Sequence, residues 1–204
     1  ISRIIVHCEY YYNLEGQDVN YDPEFPSLSF EGECRLRMKN TTSLHAFQIG
    51  DVFVSPTHWQ RSTYPLEYRD RIKVIHDGID IDSLRSGAEV KLSLPGKSRV
   101  LAKSDKVVSY VARDLDPTRG FHWFMRALPL VQEQEPDAHI VVVGGDGKGY
   151  GPAREDGKCW RELLLDELSG RLKLENIHFL GWIDRQTYLD VLAVSSVHVY
   201  LTYP

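Results

Sequence analysis

From residue 107 onward, short apolar runs alternate with helix-length amphipathic segments. The pattern predicts strand 107–112, helix about 120–134, strand 139–143, helix about 159–173, strand 177–180, helix about 184–194 and strand 197–201. Strands apolar on both faces and separated by helices imply parallel βαβ units with right-handed crossovers, so this half reads as a doubly wound, Rossmann-like parallel sheet.

The first half is less regular. A β-branched run at 2–6 predicts a buried strand that delivers His7, Cys8 and Glu9 at its carboxyl end. Tyr10, Tyr11, Asp18, Tyr21, Asp22, Pro23 and Pro26 then mark a long polar and aromatic loop, a length usually tied to function or mobility. Leu36, Leu44, Ala46 and Phe47 predict a helix over 34–49, and 51–55 a strand. Thr57 is a good N-cap for a helix stopped by Tyr64-Pro65, and 72–75 forms a third strand. After the His76-Asp77-Gly78-Ile79-Asp80 turn the composition shifts. Residues 86–105, with alternating Val90, Leu92 and Leu94 and then Val100 and Ala102 around Pro95-Gly96, predict an exposed hairpin. The expected domains are therefore 1–76, the close of one Rossmann-like domain, and 77–204, an incomplete second one.

Composition narrows the class without choosing a chemistry. With 42% hydrophobic and 26% charged residues over 204 positions, the chain is an ordinary globular one. A net charge of −5 shows no basic excess, so nucleic acid is not an expected partner. Cys8, Cys34 and Cys159 are odd in number, widely spaced and without a CxxC pair, which fits a reducing, cytoplasmic setting better than a disulfide or zinc framework. The longest apolar runs, such as 140–143 and 197–201, are too short to span a membrane. An opening Ile and a close at Tyr203-Pro204 directly after an apolar run lead us to expect a piece of a longer protein.

In an open parallel sheet ligands bind beyond the carboxyl ends of the strands, so the residues just past each apolar run are the candidates. Arg113 follows the strand at 107–112, and Arg119-Gly120 stands where the next helix begins. Two guanidinium groups beside a helix amino terminus suit a pyrophosphate, although two solvated arginines in a turn would give the same spacing. Gly144, Gly145 and Gly147 permit close backbone approach but match neither GxGxxG nor a Walker loop. Trp59 and its neighbours read as sheet-edge packing, and His122, Trp123 and Phe124 as the core face of their helix. His178 and His198 read as core residues of their strands, and no residue spacing supports a metal site.

The strings VVSYVARDLDPTRGFHWFMRALPLV, DAHIVVVGGDG, ENIHFLGWIDRQTYLDVL and SSVHVYL, preceded by DVFVSPTHWQRSTYP and IKVIHDGIDID, resemble the large retaining glycosyltransferase family four, of GT-B architecture. The resemblance covers nearly the whole chain. It implies that Arg113 and Arg119 grip the donor diphosphate, with arginine at 119 where family members usually carry lysine. It further implies that the backbone at Ile183 reads the nucleobase, that Gly144 and Gly145 line the same pocket, and that His7 faces the transferred sugar. Glu9, Tyr10 and Tyr11 are candidates for the acceptor side. The implied reaction moves a hexose, with retention and without a metal cofactor, from a nucleoside diphosphate sugar to a carbohydrate or lipid-linked acceptor. The family's glycine-bearing amino-terminal loop and its glutamate pair beyond the last strand are not in this sequence. The 204-residue chain is accordingly expected to be inactive alone, with any peripheral membrane contact made through parts outside it. A sugar-nucleotide epimerase of the same architecture and a non-catalytic nucleotide- or partner-binding module are the competing readings.

Overall fold

Val6, Phe53 and Ile72, one from each amino-proximal apolar run, sit side by side in a three-stranded parallel sheet. It is formed by β1 (Ile5–His7), β2 (Val52–Ser55) and β3 (Ile72–Val74) in the order β1-β2-β3. In this computed structural model residues 2–15, 17, 19, 21–24, 29–81, 89–96, 98–147 and 157–203 are described, and the chain divides into two units, residues 1–80 and 81–203. Asp18, Pro26 and parts of the expected hairpin (86–88 and 97) lie outside the described residues.

In the first unit α1 (Phe30–Ile49) starts four residues before the expected 34, because the Ser29 hydroxyl accepts the Gly32 amide (3.2 Å) as an N-cap. Thr57 caps α2 (His58–Thr63) as expected, its side-chain oxygen accepting the Gln60 amide at 3.1 Å. Pro65 ends α2 but its fixed φ suits a new start, and the short α3 (Leu66–Arg69) follows, which the pattern did not predict. Phe47 stacks on Phe53 (4.6 Å between centroids) and on Tyr68 (4.4 Å), closing a core with Cys8, Tyr64 and Ile72.

The second unit begins with an antiparallel hairpin, β4 (Lys91–Ser93) and β5 (Val100–Ala102). Its parallel sheet contains β6 (Val107–Asp114), β7 (His139–Gly145), β8 (Ile177–Gly181) and β9 (Val197–Val199) in the order β8-β7-β6-β9. One face is covered by α4 (Phe121–Gln134) and α5 (Trp160–Glu167) through Phe121, Phe124, Met125, Leu128 and Leu164. The other is covered by α6 (Arg185–Val194) through Val191 and Val194, and by the hairpin. The hairpin is thus not the exposed one expected. Leu92, Leu94 and Leu101 point inward and are buried against Val107 and Val141, while Lys91 and Ser93 take the solvent side of the alternation.

Three further expectations are corrected. The helix at 159–173 ends at Glu167, and Gly170 follows in the left-handed region (φ +73°). Trp123 is 49% exposed while its neighbours His122 and Phe124 are buried. His178 is buried and shares a 3.0 Å hydrogen bond with His139, but His198 lies on an exposed position of β9, held to Ser109 through Nδ1 at 3.0 Å.

Candidate functional site

The carboxyl ends of β6, β7 and β8 are irregular in the same layer. Val111 pairs with Val143 but Asp114 with Gly145, so β6 carries one extra residue at Ala112-Arg113. Likewise Val142 pairs with Phe179 but Val143 with Gly181, so β8 carries one extra at Leu180. A bulge resets the alternation of side chains and re-aims the residue beside it, which is how a strand end can present a polar group instead of burying it.

An open groove of about 210 Å³ lies over these bulges. Val111, Ala112 and Arg113 of β6 and Val143 and Gly144 of β7 form one side of its lining; Gly181 at the end of β8, Trp182 and Ile183 after it, and Tyr188 of α6 form the rest. Arg113 is held by its neighbour: Nε donates to Asp114 Oδ2 at 2.9 Å, and the Asp114 carboxylate is nearly buried. The fork is therefore oriented before any ligand arrives, and its own side chain stays about half exposed.

The glycines divide the work. Gly144 has φ +150°, and a Cβ there would lie 2.7 Å from the Ala112 carbonyl oxygen, so only glycine allows β7 to pass this close to β6. A Cβ on Gly145 would run into the Trp182 indole, and one on Gly147 into the Asp114 carboxylate. Gly144 lines the groove; Gly145 and Gly147 instead make room for residues that line or brace it. Next to them Asp146 pairs with Arg161 at 2.6 Å.

Arg119 is not among the lining residues. It ends a 3-10 turn, Pro117–Arg119, whose cap Asp116 accepts the Thr118 amide and hydroxyl through Oδ1. Its Nη1 donates to Thr202 Oγ1 at 2.7 Å, which places it between the ends of β6 and β9, where the strand order reverses. The adjoining Gly120 (φ +71°) packs directly on Leu201. Burial raises the Tyr110 hydroxyl above its ordinary pKa, and that hydroxyl donates to the Arg119 carbonyl at 2.8 Å, tying the turn to the sheet.

The remaining candidates lie in the first unit. His7 Nε2 is 3.6 Å from Asp77 Oδ1, with both side chains half exposed or more. Glu9 is exposed, and Tyr10 stands edge-on to Tyr12 (5.0 Å) and tilted to Trp59 (5.9 Å). Tyr11 turns into the core against Tyr64 (5.4 Å), and its amide donates to Thr63 Oγ1. The sequence reading passed over Trp182, Tyr188 and Asp114; the one available signal was a tryptophan wedged between a strand-end glycine and Ile183.

Comparison with known proteins gives the class. Residues 1–84 match the family described as Glycosyl transferase family 4 group, and residues 105–202 the family described as Glycosyl transferases group 1. The Bacillus subtilis (strain 168) protein YtcC, which carries a glycosyltransferase name, is 32% identical over 81 residues, 39% of this chain and 20% of that one. The trehalose-6-phosphate synthase OtsA superposes with a TM-score of 0.55 at 18% identity, covering 86% of this chain and 44% of OtsA. The pneumococcal O-GlcNAc transferase GtfA superposes with a TM-score of 0.54 at 12% identity, covering 98% of this chain and 33% of GtfA. The architecture is that of the GT-B glycosyltransferases, α/β with parallel sheets. Residues 105–202 thus carry the likeness to the group 1 glycosyltransferases and residues 1–84 that to the family 4 group, and the chain spans less than half the length of the relatives it matches.

Proposed function

We propose that this chain is part of a glycosyltransferase that moves a hexose from a nucleoside diphosphate sugar to an acceptor hydroxyl with retention of configuration. Residues 77–204 supply most of the donor site, and residues 1–76 close the acceptor-side domain. The observation that carries the reading is the groove at the carboxyl edge of the second sheet, where a braced guanidinium (Arg113), a closely approached backbone (Gly144) and an apolar wall (Ile183, Tyr188) converge. An anionic group at one end and a planar apolar group at the other match a nucleotide. Among the structural neighbours, the pneumococcal one is a complex with UDP and GlcNAc, and the E. coli trehalose-6-phosphate protein is bound with UDP-2-fluoro glucose, which supports a nucleotide-sugar donor.

In this reading Arg113 binds the diphosphate and Arg119, at the switch between β6 and β9, neutralises charge on the departing nucleoside diphosphate without a metal cofactor. His7 faces the sugar, and a carbohydrate or lipid-linked acceptor lies near Glu9 and Tyr10. Turnover needs residues outside the 204, so the chain alone binds donor but does not transfer. Among the described residues no helix is long and apolar enough to cross a membrane.

The test is thermal unfolding with UDP, GDP, ADP and inorganic pyrophosphate. A ligand at about 100 times its Kd adds about 2.7 kcal/mol to the native state, so at least one nucleotide should raise the melting temperature by roughly 5–10 °C. Arg113→Ala should remove that shift, read against the variant's own unliganded melting point, because it also takes the ion-pair partner from the nearly buried Asp114 carboxylate. No shift with any of the three nucleotides refutes the donor-site reading.

A further inference from the structure

Beyond the end of β1 the chain from residue 8 to residue 13 is irregular, yet its backbone is held as fully as a strand would hold it. The Tyr64 hydroxyl donates to the Tyr10 carbonyl (3.3 Å), and the Tyr11 amide donates to Thr63 Oγ1 (3.0 Å). The side-chain amides of Asn13 and Gln17 both donate to the Tyr11 carbonyl, each at 3.1 Å. Asn40, within α1, accepts the Tyr12 amide at 2.9 Å and donates to the Tyr12 carbonyl at 2.8 Å, and Gln17 Oε1 accepts the Asn13 amide at 3.0 Å. Every backbone group from the Tyr10 carbonyl to the Asn13 amide is thus bonded to a side chain, and Gln17, Asn40 and Thr63 are buried in doing so. Buried amides and an asparagine inside a helix are poor choices for stability alone, so the shape of this segment is what they maintain.

That shape presents aromatic rings. While Tyr11 packs into the core, Tyr10 meets Tyr12 edge-on at 5.0 Å and lies tilted to Trp59 at 5.9 Å, and Lys39 Nζ stands 4.7 Å from the centre of the Tyr12 ring. Trp59 is 40% exposed, not packed away at a sheet edge, and Tyr10 and Tyr12 are part-exposed. The cluster follows the carboxyl ends of β1 and β2, next in sequence to the exposed Glu9, on the edge where an open parallel sheet receives ligands.

We propose that Tyr10, Tyr12 and Trp59 form a stacking platform for a pyranose ring, so that the acceptor is recognised as a carbohydrate and not through a lipid chain. The proposal rests on the glycosyltransferase reading above and names its acceptor class. A pyranose chair carries C–H bonds on its faces and hydroxyls around its rim. Rigid aromatic rings take the faces, while the tyrosine hydroxyls and the Glu9 carboxylate supply partners for the rim. A lipid chain has no use for those polar tips and calls for a purely apolar channel. Because the backbone under the rings is already fixed, little ordering is left for the ligand to impose.

The experiment is saturation-transfer NMR on the 204-residue chain. The probes are the methyl glycosides of glucose, galactose, mannose and N-acetylglucosamine, with n-octyl phosphate as the lipid probe. At least one glycoside should receive saturation, more strongly at the ring C–H protons of one face than of the other. Trp59→Ala and Tyr10→Ala should each weaken that glycoside by roughly tenfold or more, and Trp59→Phe, which keeps an aromatic face, should recover most of the loss. Arg113→Ala should leave glycoside binding unchanged. Saturation of no glycoside, or equal saturation in Trp59→Ala, overturns the platform. Binding of n-octyl phosphate that depends on Trp59, with no glycoside bound, overturns it in favour of a lipid. In each of these cases a nucleotide-induced rise in melting temperature leaves the donor site standing. Glycoside binding that depends on Trp59 in a chain showing no such rise refutes the donor site, and overturns the assignment of the bound sugar as an acceptor with it.

Discussion

At φ +150° and with the Ala112 carbonyl oxygen 2.7 Å from where a Cβ would sit, Gly144 combines a conformational and a steric requirement in one residue. Gly144→Ala should therefore lower stability by about 1–3 kcal/mol and abolish any nucleotide-induced rise in melting temperature, both read from the same unfolding curves. Full retention of the rise would mean that β7 can move aside and that the close approach is not used by the ligand. In the sequence the three glycines of Gly144-Gly145-Asp146-Gly147 are indistinguishable, because each signals only freedom from a side chain. What separates them is what fills the freed space: backbone of β6 for Gly144, an indole for Gly145, a carboxylate for Gly147. Arg113 was legible, being the residue that follows an apolar strand. Its orientation was not, since that depends on a one-residue bulge that pattern cannot place.

Elements were readable where a strong local signal coincided with the apolar period, as for β6, α4, β7 and β8, and at the cap Thr57. They were misread where the signal was weak or lay in the partner. The start of α5 was read correctly although its capping box is written with a poor acceptor, the Cys159 thiol, with Glu162 Oε2 accepting the Cys159 amide at 3.1 Å; its end was misread, at 173 instead of Glu167. The hairpin was read as exposed because Lys, Ser and Gly dominate it, yet three leucines on its inner side are enough to bury it. At α6 the cap can be tested by pH. The Thr187 amide and hydroxyl bond the Asp184 carboxylate and hold its pKa below the ordinary 3.8. A lowered native pKa means that the unfolded chain takes up the proton first. The contribution is present above pH 3.8 and lost as pH falls through the native value. Asp184→Asn keeps a capping oxygen but does not titrate, so its acid loss of stability between pH 5 and about pH 2 should be smaller than that of the unmodified chain. Equal acid losses in urea unfolding at the two ends of that range would remove Asp184 from the account.

For the molecule as a whole, the two family segments and the two structural units coincide closely: residues 1–84 against 1–80, and 105–202 within 81–203. The interval between the segments, 85–104, contains the hairpin whose leucines help cover one face of the second sheet. Every residue lining the groove comes from 81–203, on β6, β7, β8, the turn after β8 and α6. If the donor binds there, stabilisation by ligand should be local before it is global, because amides exchange through openings that a bound ligand suppresses only in the elements it holds. Hydrogen exchange with saturating nucleotide should thus slow amides in 111–119, 143–147 and 181–188, by roughly tenfold or more at about tenfold excess over Kd. Amides of α1 and of β2 and β3 should exchange as before. Protection that appeared equally in 30–49 and 52–74 would contradict a site confined to the second unit. Protection of 181–188 alone, without 111–119, would keep the base end of the groove but remove Arg113 and Arg119 from the diphosphate.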